Sequence, residues 1–447
     1  MALATLSTDE VLVWQTISSL TVLFTLIDFG FNPTFARIIA TARGGGTLAQ
    51  LSRGRRGQDQ SLEHGDAPLD IGEVTATLRW VYRWIVVVST FLTLTAGTSA
   101  LLRPISNLSD ASEAWVAWCL AAVSLQISVF GGANSATLTG FGCIATARRI
   151  DAGVGALQIL TAVLVAAAGG GLLGIVASYS AFSLPLYLAY HRKVRRLNVP
   201  RSAARLNPLL LQAVWAAAWR SGVGVLMSNG IIQMSGVLYA QLGKPADAAA
   251  FMLLLRAITA VSQVSQAPFY SKLPEMSRLR AAREIHEVAA LASAGMSFAF
   301  WTYSIGAGAL LVLAPPLLQM IGSSVHLPAY DVTATLILAF FVERYCAMHI
   351  QLYSLTHHII WHVMNGVTGV LMICSSVALA PMVGQLSFPL AMLISYSAFF
   401  AWRASQLSIN SLGTSRARFE LRTSAFPLIA LLCMLTGALF LHMGDRQ

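Results

Sequence analysis

The sequence predicts an all-α, polytopic membrane protein of about twelve transmembrane helices. Two observations carry this. Apolar residues make up 56% of the 447 and charged residues only 11%, where a soluble domain carries about 25% charged residues. Of the 29 Lys and Arg, 19 fall in every second gap between long apolar stretches, which is the positive-inside pattern.

A hydrocarbon core about 30 Å thick needs about 20 apolar residues per helix. The spans this predicts run roughly over 10–42, 80–102, 114–138, 150–170, 172–190, 209–241, 246–270, 288–318, 330–355, 363–383, 385–408 and 425–442. The basic gaps Arg43 to Arg56, Arg148 and Arg149, Arg192 to Arg205, Lys272 to Arg283 and Arg416 to Arg422 are placed in the cytoplasm. Alternation also puts His357 to His362 there, although that gap holds no Lys or Arg.

The domains expected are an N-terminal helical lobe over 1–190 with a cytoplasmic loop at 43–72, and a basic linker over 191–208. A C-terminal lobe over 209–410 follows, then 411–447 as a loop and an extra helix. Asp9 to Trp14 and Asp247 to Phe251 each lead into an apolar run that descends to a basic loop. Only the second is preceded by a partner helix, so the first lobe is expected to lack its opening helix. Arg53, Arg55 and Arg56 read as a solvated topogenic cluster that can touch anionic lipid. The segment Asn207 to Trp219 reads as the start of an interfacial helix, with Trp215 and Trp219 at headgroup depth.

Several chemistries find no footing. The basic residues are spread over short loops rather than gathered on one surface, so nucleic acid is not expected as a partner. Cys119, Cys143, Cys346, Cys374 and Cys433 stand singly and read as small buried hydrophobes, not as a zinc site or a disulfide framework. His358 and His362 have ligand spacing but no companion cluster, so no metal is expected. GxSxG, Walker A and HExxH motifs are absent, and Asp110, Glu113 and Asp331 read as isolated loop charges. The chain is therefore expected not to be an enzyme.

Charge inside the spans is the informative feature, because its cost marks function by default. Arg256 lies about ten residues from either end of its span, and Glu343 and Arg344 sit near the middle of theirs. Adjacent helical residues point about 100° apart, so Glu343 and Arg344 are not expected to neutralise one another. Glu343 could instead pair with Arg256, or these charges could face a water-filled cavity. Arg37, Arg79, Arg83, Arg220 and Arg403 stand near cytoplasmic ends, where snorkelling competes with a role at the mouth of an anion-attracting cavity. Guanidinium suits phosphate because it donates two parallel hydrogen bonds. Asn134, Asn229, Gln233 and Gln241 add amides that can bind sugar hydroxyls or join helices.

Leu6 to Trp14 (LSTDEVLVW), Leu26 to Arg37 (LIDFGFNPTFAR), Ala218 to Val225 (AWRSGVGV), Val237 to Gly243 (VLYAQLG) and Gln266 to Leu279 (QAPFYSKLPEMSRL) together resemble flippase-type polysaccharide biosynthesis proteins. Those proteins belong to the multidrug, oligosaccharidyl-lipid and polysaccharide (MOP) exporters. The resemblance covers nearly the whole span pattern, with DFGF…R and AP…KLP its most specific parts. It implies two six-helix lobes around a cationic central cavity worked by alternating access, in the inner membrane of a bacterium. It also implies a polyprenyl-pyrophosphate-linked oligosaccharide as substrate, with membrane lipids and other polysaccharide assembly proteins as partners. In that family the DEVLVW-like segment follows a first helix, which again implies that one is missing. On this resemblance Arg37, Arg220, Arg256 and Arg344 are expected at the anionic headgroup and Asn229 and Gln233 at sugar. Glu343 is expected to couple transport to Na+ or H+, with no other cofactor. Drug or cation antiport within the same superfamily, and a polytopic glycosyltransferase or polymer ligase, are the alternatives.

Overall fold

The computed structural model describes residues 2–47, 68–199, 207–356 and 360–444. The described residues contain helices and no strand, only an isolated bridge between Thr47 and Pro68. With Leu69 N donating to Gly46 O at 3.0 Å, that bridge closes the base of the loop expected over 43–72. The Arg53, Arg55 and Arg56 cluster, Arg201, Arg205, His358 and Arg446 lie outside the described residues.

Ten helical stretches among the described residues are long and apolar enough to cross a membrane, and a bent pair near the C-terminus makes an eleventh. One stretch, Trp361–Leu412, is 52 residues long, too long for a single crossing. It turns back at Gly384, whose φ of 54° is left-handed, and its two arms pack on each other. This hairpin covers both spans expected at 363–383 and 385–408.

The chain divides into two compact units, Met1–Val237 and Leu238–Gln447. After a single turn at Ala2–Thr5, the first unit contains α1 (Thr8–Thr25), α2 (Phe31–Arg43), α3 (Ile71–Leu92) and α4 (Thr98–Ser106). It continues with α5 (Ala111–Gly140), α6 (Ile144–Ala167), α7 (Gly171–Ala181), α8 (Ser183–Arg196) and α9 (Pro208–Val225); α10 (Ile231–Leu242) crosses the division. The helix expected to open the second lobe at 209 thus groups with the first unit, because α9 packs on α2.

In the first unit α5 is the hub, touching α1, α2, α3, α7 and α8. By contrast α6 buries only Ala147, Ala162 and Ala166 and turns Leu157, Ile159, Leu160 and Leu164 outward. An apolar face turned outward over this length suits a helix that borders lipid. Local signals start these helices where the sequence places them. Ser7 and Glu10 form a capping box at α1, and Asp70 accepts from Gly72 N at 2.9 Å at α3. Asn207 caps α9 ahead of Pro208 at the first helical position.

The acidic residues expected to be isolated loop charges are helix-end partners instead. Asp110 accepts from Ser112 Oγ at 2.6 Å and from Glu113 N at 3.2 Å, which holds its carboxyl below the usual carboxylate range. Glu113 accepts from Leu173 N at 3.1 Å, and Asp331 from Val332 N at 2.8 Å. An unpaired helix N-terminus attracts whichever short acidic side chain lies beside it.

The second unit contains α11 (Pro245–Ser271), α12 (Leu273–Ala281), α13 (Ile285–Met320) and α14 (Tyr330–Ser354). The hairpin follows as α15 (Trp361–Val383), α16 (Ser387–Ser395) and α17 (Trp402–Leu412), then α18 (Arg416–Thr423) and α19 (Ala425–Gly444). Here α13 and α14 pack against α11, the hairpin and the terminal pair. The basic gap at 416–422 is the short helix α18, bent by 48° from α19 and seated by buried Phe419. The cysteine expectation needs correcting: Cys346 is buried, but Cys119, Cys374 and Cys433 are exposed. They lie on spans whose outward faces are apolar, where a small thiol needs no protein cover.

Candidate functional site

The first span is not one helix. Between α1 and α2 the chain passes through a 3-10 turn at Leu26–Asp28 and two left-handed residues, Phe29 (φ 50°) and Gly30 (φ 76°). The interruption falls on the DFGF segment. Only a few packings tolerate it: a Cβ on Gly30 would lie 2.6 Å from Ser221 Cβ, and one on Gly222 would lie 2.3 Å from the Phe29 ring. Phe29 also stacks on Trp215, with centroids 6.4 Å apart. Trp215, two turns into α9, thus lies against the break.

Breaking a helix within a membrane frees backbone groups and gives polar side chains a place to work. Asp28 sits at this break. It accepts a hydrogen bond from the Tyr82 hydroxyl on α3 and another from Asn32 N at 3.0 Å. Asn32 in turn donates to Gly132 O on α5 at 3.1 Å. Gly132 admits the Tyr82 ring, since a Cβ there would meet it at 2.5 Å.

The helices that meet near this break carry four exposed arginines: Arg37 on α2, Arg79 and Arg83 on α3, and Arg220 on α9. The three helices pack on one another. Arg220 lies over the Trp219 ring, 5.8 Å from its centroid. Arg37, Arg79 and Arg83 form no side-chain hydrogen bond or ion pair among the described residues.

In the second unit Arg344 is buried, at 4% exposure. Its Nε and Nη2 donate to Ser262 Oγ at 3.1 and 2.7 Å, Nη1 donates to the Gln266 side-chain oxygen, and Nη2 reaches Glu343 Oε2 at 3.1 Å. Four hydrogen bonds thus occupy a guanidinium that has five donors. The expectation that Glu343 and Arg344 could not neutralise one another is overturned. The 100° between neighbouring Cβ directions matters less than the length of the two side chains, which curl back to meet.

A second buried polar group was not legible in the sequence. His349, fully buried on α14, meets Ser408 Oγ at 2.6 Å through Nδ1 and lies 3.8 Å from Glu420 Oε1 through Nε2. Glu420 also accepts from the Tyr345 hydroxyl and from Ser424 Oγ. Arg416 donates to Ser405 Oγ at 3.0 Å. This group ties α18 to α14 and α17.

No family model and no curated protein matches the sequence. Solved structures do. The lipid II flippase MurJ in an inward closed conformation matches with a TM-score of 0.58 at 10% identity, over 98% of this chain and 97% of that one. An inward-facing multidrug resistance MATE family transporter of the MOP superfamily matches with 0.60 at 14%, over 92% and 97%. The Vibrio cholerae MATE transporter VcmN in its bent form matches with 0.53 at 14%, over 93% and 96%. This chain has the MOP-transporter fold.

Within the MOP fold the sequence-expected residues divide by unit. Arg37, Arg220, Asn229 and Gln233 belong to the first, with Asn229 exposed in a π-turn at Leu226–Gly230 and Gln233 half-buried one turn later. Arg256, half-buried on α11, and the Glu343–Arg344 pair belong to the second. Arg403 donates to Gln406 at 3.0 Å. Asp28, Tyr82 and Asn32 were not among the residues singled out from the sequence. Yet Asp28 stands deep in an apolar run immediately before Phe-Gly, and the cost of a carboxylate there was itself a signal.

Proposed function

We propose that the chain is a flippase that moves a polyprenyl-pyrophosphate-linked oligosaccharide from the cytoplasmic to the outer leaflet of a bacterial inner membrane. The observation that carries this is the imbalance of charge within the spans. Arg37, Arg79, Arg83 and Arg220 are exposed on three packed helices of the first unit. The span carboxylates Asp28 and Glu343 are already committed, to Tyr82 and Asn32 and to Arg344. Surplus guanidinium attracts a diphosphate and repels a cation. MurJ, a flippase for lipid II, has the same fold.

In this reading Arg37 and Arg220 of the first unit meet the headgroup, while Asn229 and Gln233 meet sugar. In the second unit Arg256 is a further candidate for anion binding, and Glu343 releases Arg344 when it takes up the coupling ion or proton. Drug or cation antiport draws support from the buried Asp28 and from the MATE structures with this fold. It needs a free carboxylate, and Asp28 already accepts two hydrogen bonds.

The test is a strain lacking the protein. It should assemble the complete lipid-linked repeat and accumulate it facing the cytoplasm, closed to an impermeant periplasmic glycosidase. Arg37→Gln and Arg220→Gln should stop export while the protein still accumulates in the membrane, and Arg220→Lys should restore only part of it. A truncated glycan would indicate a glycosyltransferase, and finished glycan on the outer face would indicate a ligase. Loss of drug resistance with normal polysaccharide would indicate the antiporter.

A further inference from the structure

A groove of about 390 Å³ opens on the outer surface of the second unit, and none of the span charges considered above lines it. Ser293, Ala294, Ser297, Phe298 and Trp301 of α13 line one side, and Arg422 at the end of α18 closes it. Ser293, Ser297 and Trp301 follow one another at intervals of four, so they run along one face of the helix. The groove therefore has a graded lining: a cation and two hydroxyls, then two aromatic rings.

The polar end is available. Arg422 is exposed and forms no hydrogen bond or ion pair among the described residues, and the Ser297 hydroxyl is likewise unengaged. The apolar end is equally open, with Phe298 60% and Trp301 38% exposed. Its position in the bilayer follows from length. At 36 residues α13 is about 54 Å long, against a hydrocarbon core of about 30 Å. Centred on that core, its first two turns stand in the headgroup layer and Ser293 reaches the boundary. The basic segments at 272–283 and 416–422 put this end of α13 on the cytoplasmic side. The neighbouring helix holds the wall in place, since Ser304 Oγ donates to Pro427 O at 2.9 Å.

We propose that this groove is a binding site for an anionic phospholipid of the inner leaflet. Its phosphate would sit at Arg422 with the serine hydroxyls beside the glycerol, and an acyl chain would lie over Phe298 and Trp301. Charge selects the occupant. A lone guanidinium between transmembrane helices at the cytoplasmic boundary favours an acidic headgroup over a zwitterionic one, and the two rings give a chain about one turn of apolar surface. The site would hold α18 against α13 from the lipid side.

Native mass spectrometry of the full chain, released from bilayers of phosphatidylethanolamine with phosphatidylglycerol, tests this. The wild type should retain phosphatidylglycerol in preference to phosphatidylethanolamine. Arg422→Gln should weaken that retention about fivefold, the factor matching the ~1 kcal/mol of one basic residue at the surface. Arg422→Lys should keep most of it, and Ser297→Leu, which fills the groove without touching charge, should lose it. Arg278→Gln, an exposed arginine on α12 outside the groove, should change nothing. Unaltered retention in both Arg422→Gln and Ser297→Leu, or equal losses in Arg278→Gln and Arg422→Gln, would overturn the proposal. So would displacement of phosphatidylglycerol by a low concentration of polyprenyl phosphate, which would make the groove part of the carrier's route.

Discussion

Replacing Arg344 by Gln is the sharpest perturbation the structure offers. Arg344 is 4% exposed and its Ser262 partner 1%, while the Glu343 side chain is 18% exposed. The substitution removes the cation from Glu343 and the donors from Ser262 Oγ and the Gln266 carbonyl oxygen. Removing one partner of a buried ion pair costs about 3–5 kcal/mol, because the other charge stays behind. That amounts to two to four decades in the folding equilibrium. The assay is denaturant titration of the purified protein in mixed micelles, followed by fluorescence. Glu343→Gln in the same chain removes the stranded charge, so the double variant should be about 1–3 kcal/mol more stable than Arg344→Gln alone. An Arg344→Gln protein within about 1 kcal/mol of wild type would refute the pairing. A Glu343→Gln cost that simply adds would refute it equally.

Other consequences follow from the broken first span. Gly30→Ala must hold a left-handed φ of 76° and place its Cβ 2.6 Å from Ser221 Cβ, so it should lower stability by about 2–4 kcal/mol in the same titration. Tyr82→Phe removes a donor from Asp28 and should cost about 1–3 kcal/mol; Gly132→Ala, which displaces the Tyr82 ring, should show part of that loss. In the second unit, Glu420→Leu should loosen α18 and increase protease cleavage in 413–424, because Tyr345 and Ser424 both anchor to that carboxylate. Reporter fusions at Val199 and Arg280 should report cytoplasm and those at Asn107 and Ser323 periplasm; a periplasmic signal at Val199 would overturn the orientation.

The number and approximate placement of the spans were readable from the chain alone, because membrane insertion is decided locally. Each stretch of about 20 apolar residues lowers its free energy in lipid whatever its neighbours do, and each basic loop biases orientation by its own charge. Caps at Ser7, Asp70 and Asn207 are equally local. Partnership was not readable. Arg344 and Ser262 are 82 positions apart, Asp28 and Tyr82 are 54 apart, and His349 and Ser408 are 59 apart. Nothing in the apolar pattern says which polar residues of two spans will share a level and a face. The break at Phe29 and Gly30 shows the division most clearly. The sequence supplied the glycine and the carboxylate. Only packing against Gly222 and Trp215 decided that the helix would open there, because a left-handed turn inside a membrane persists only where neighbouring side chains close over it.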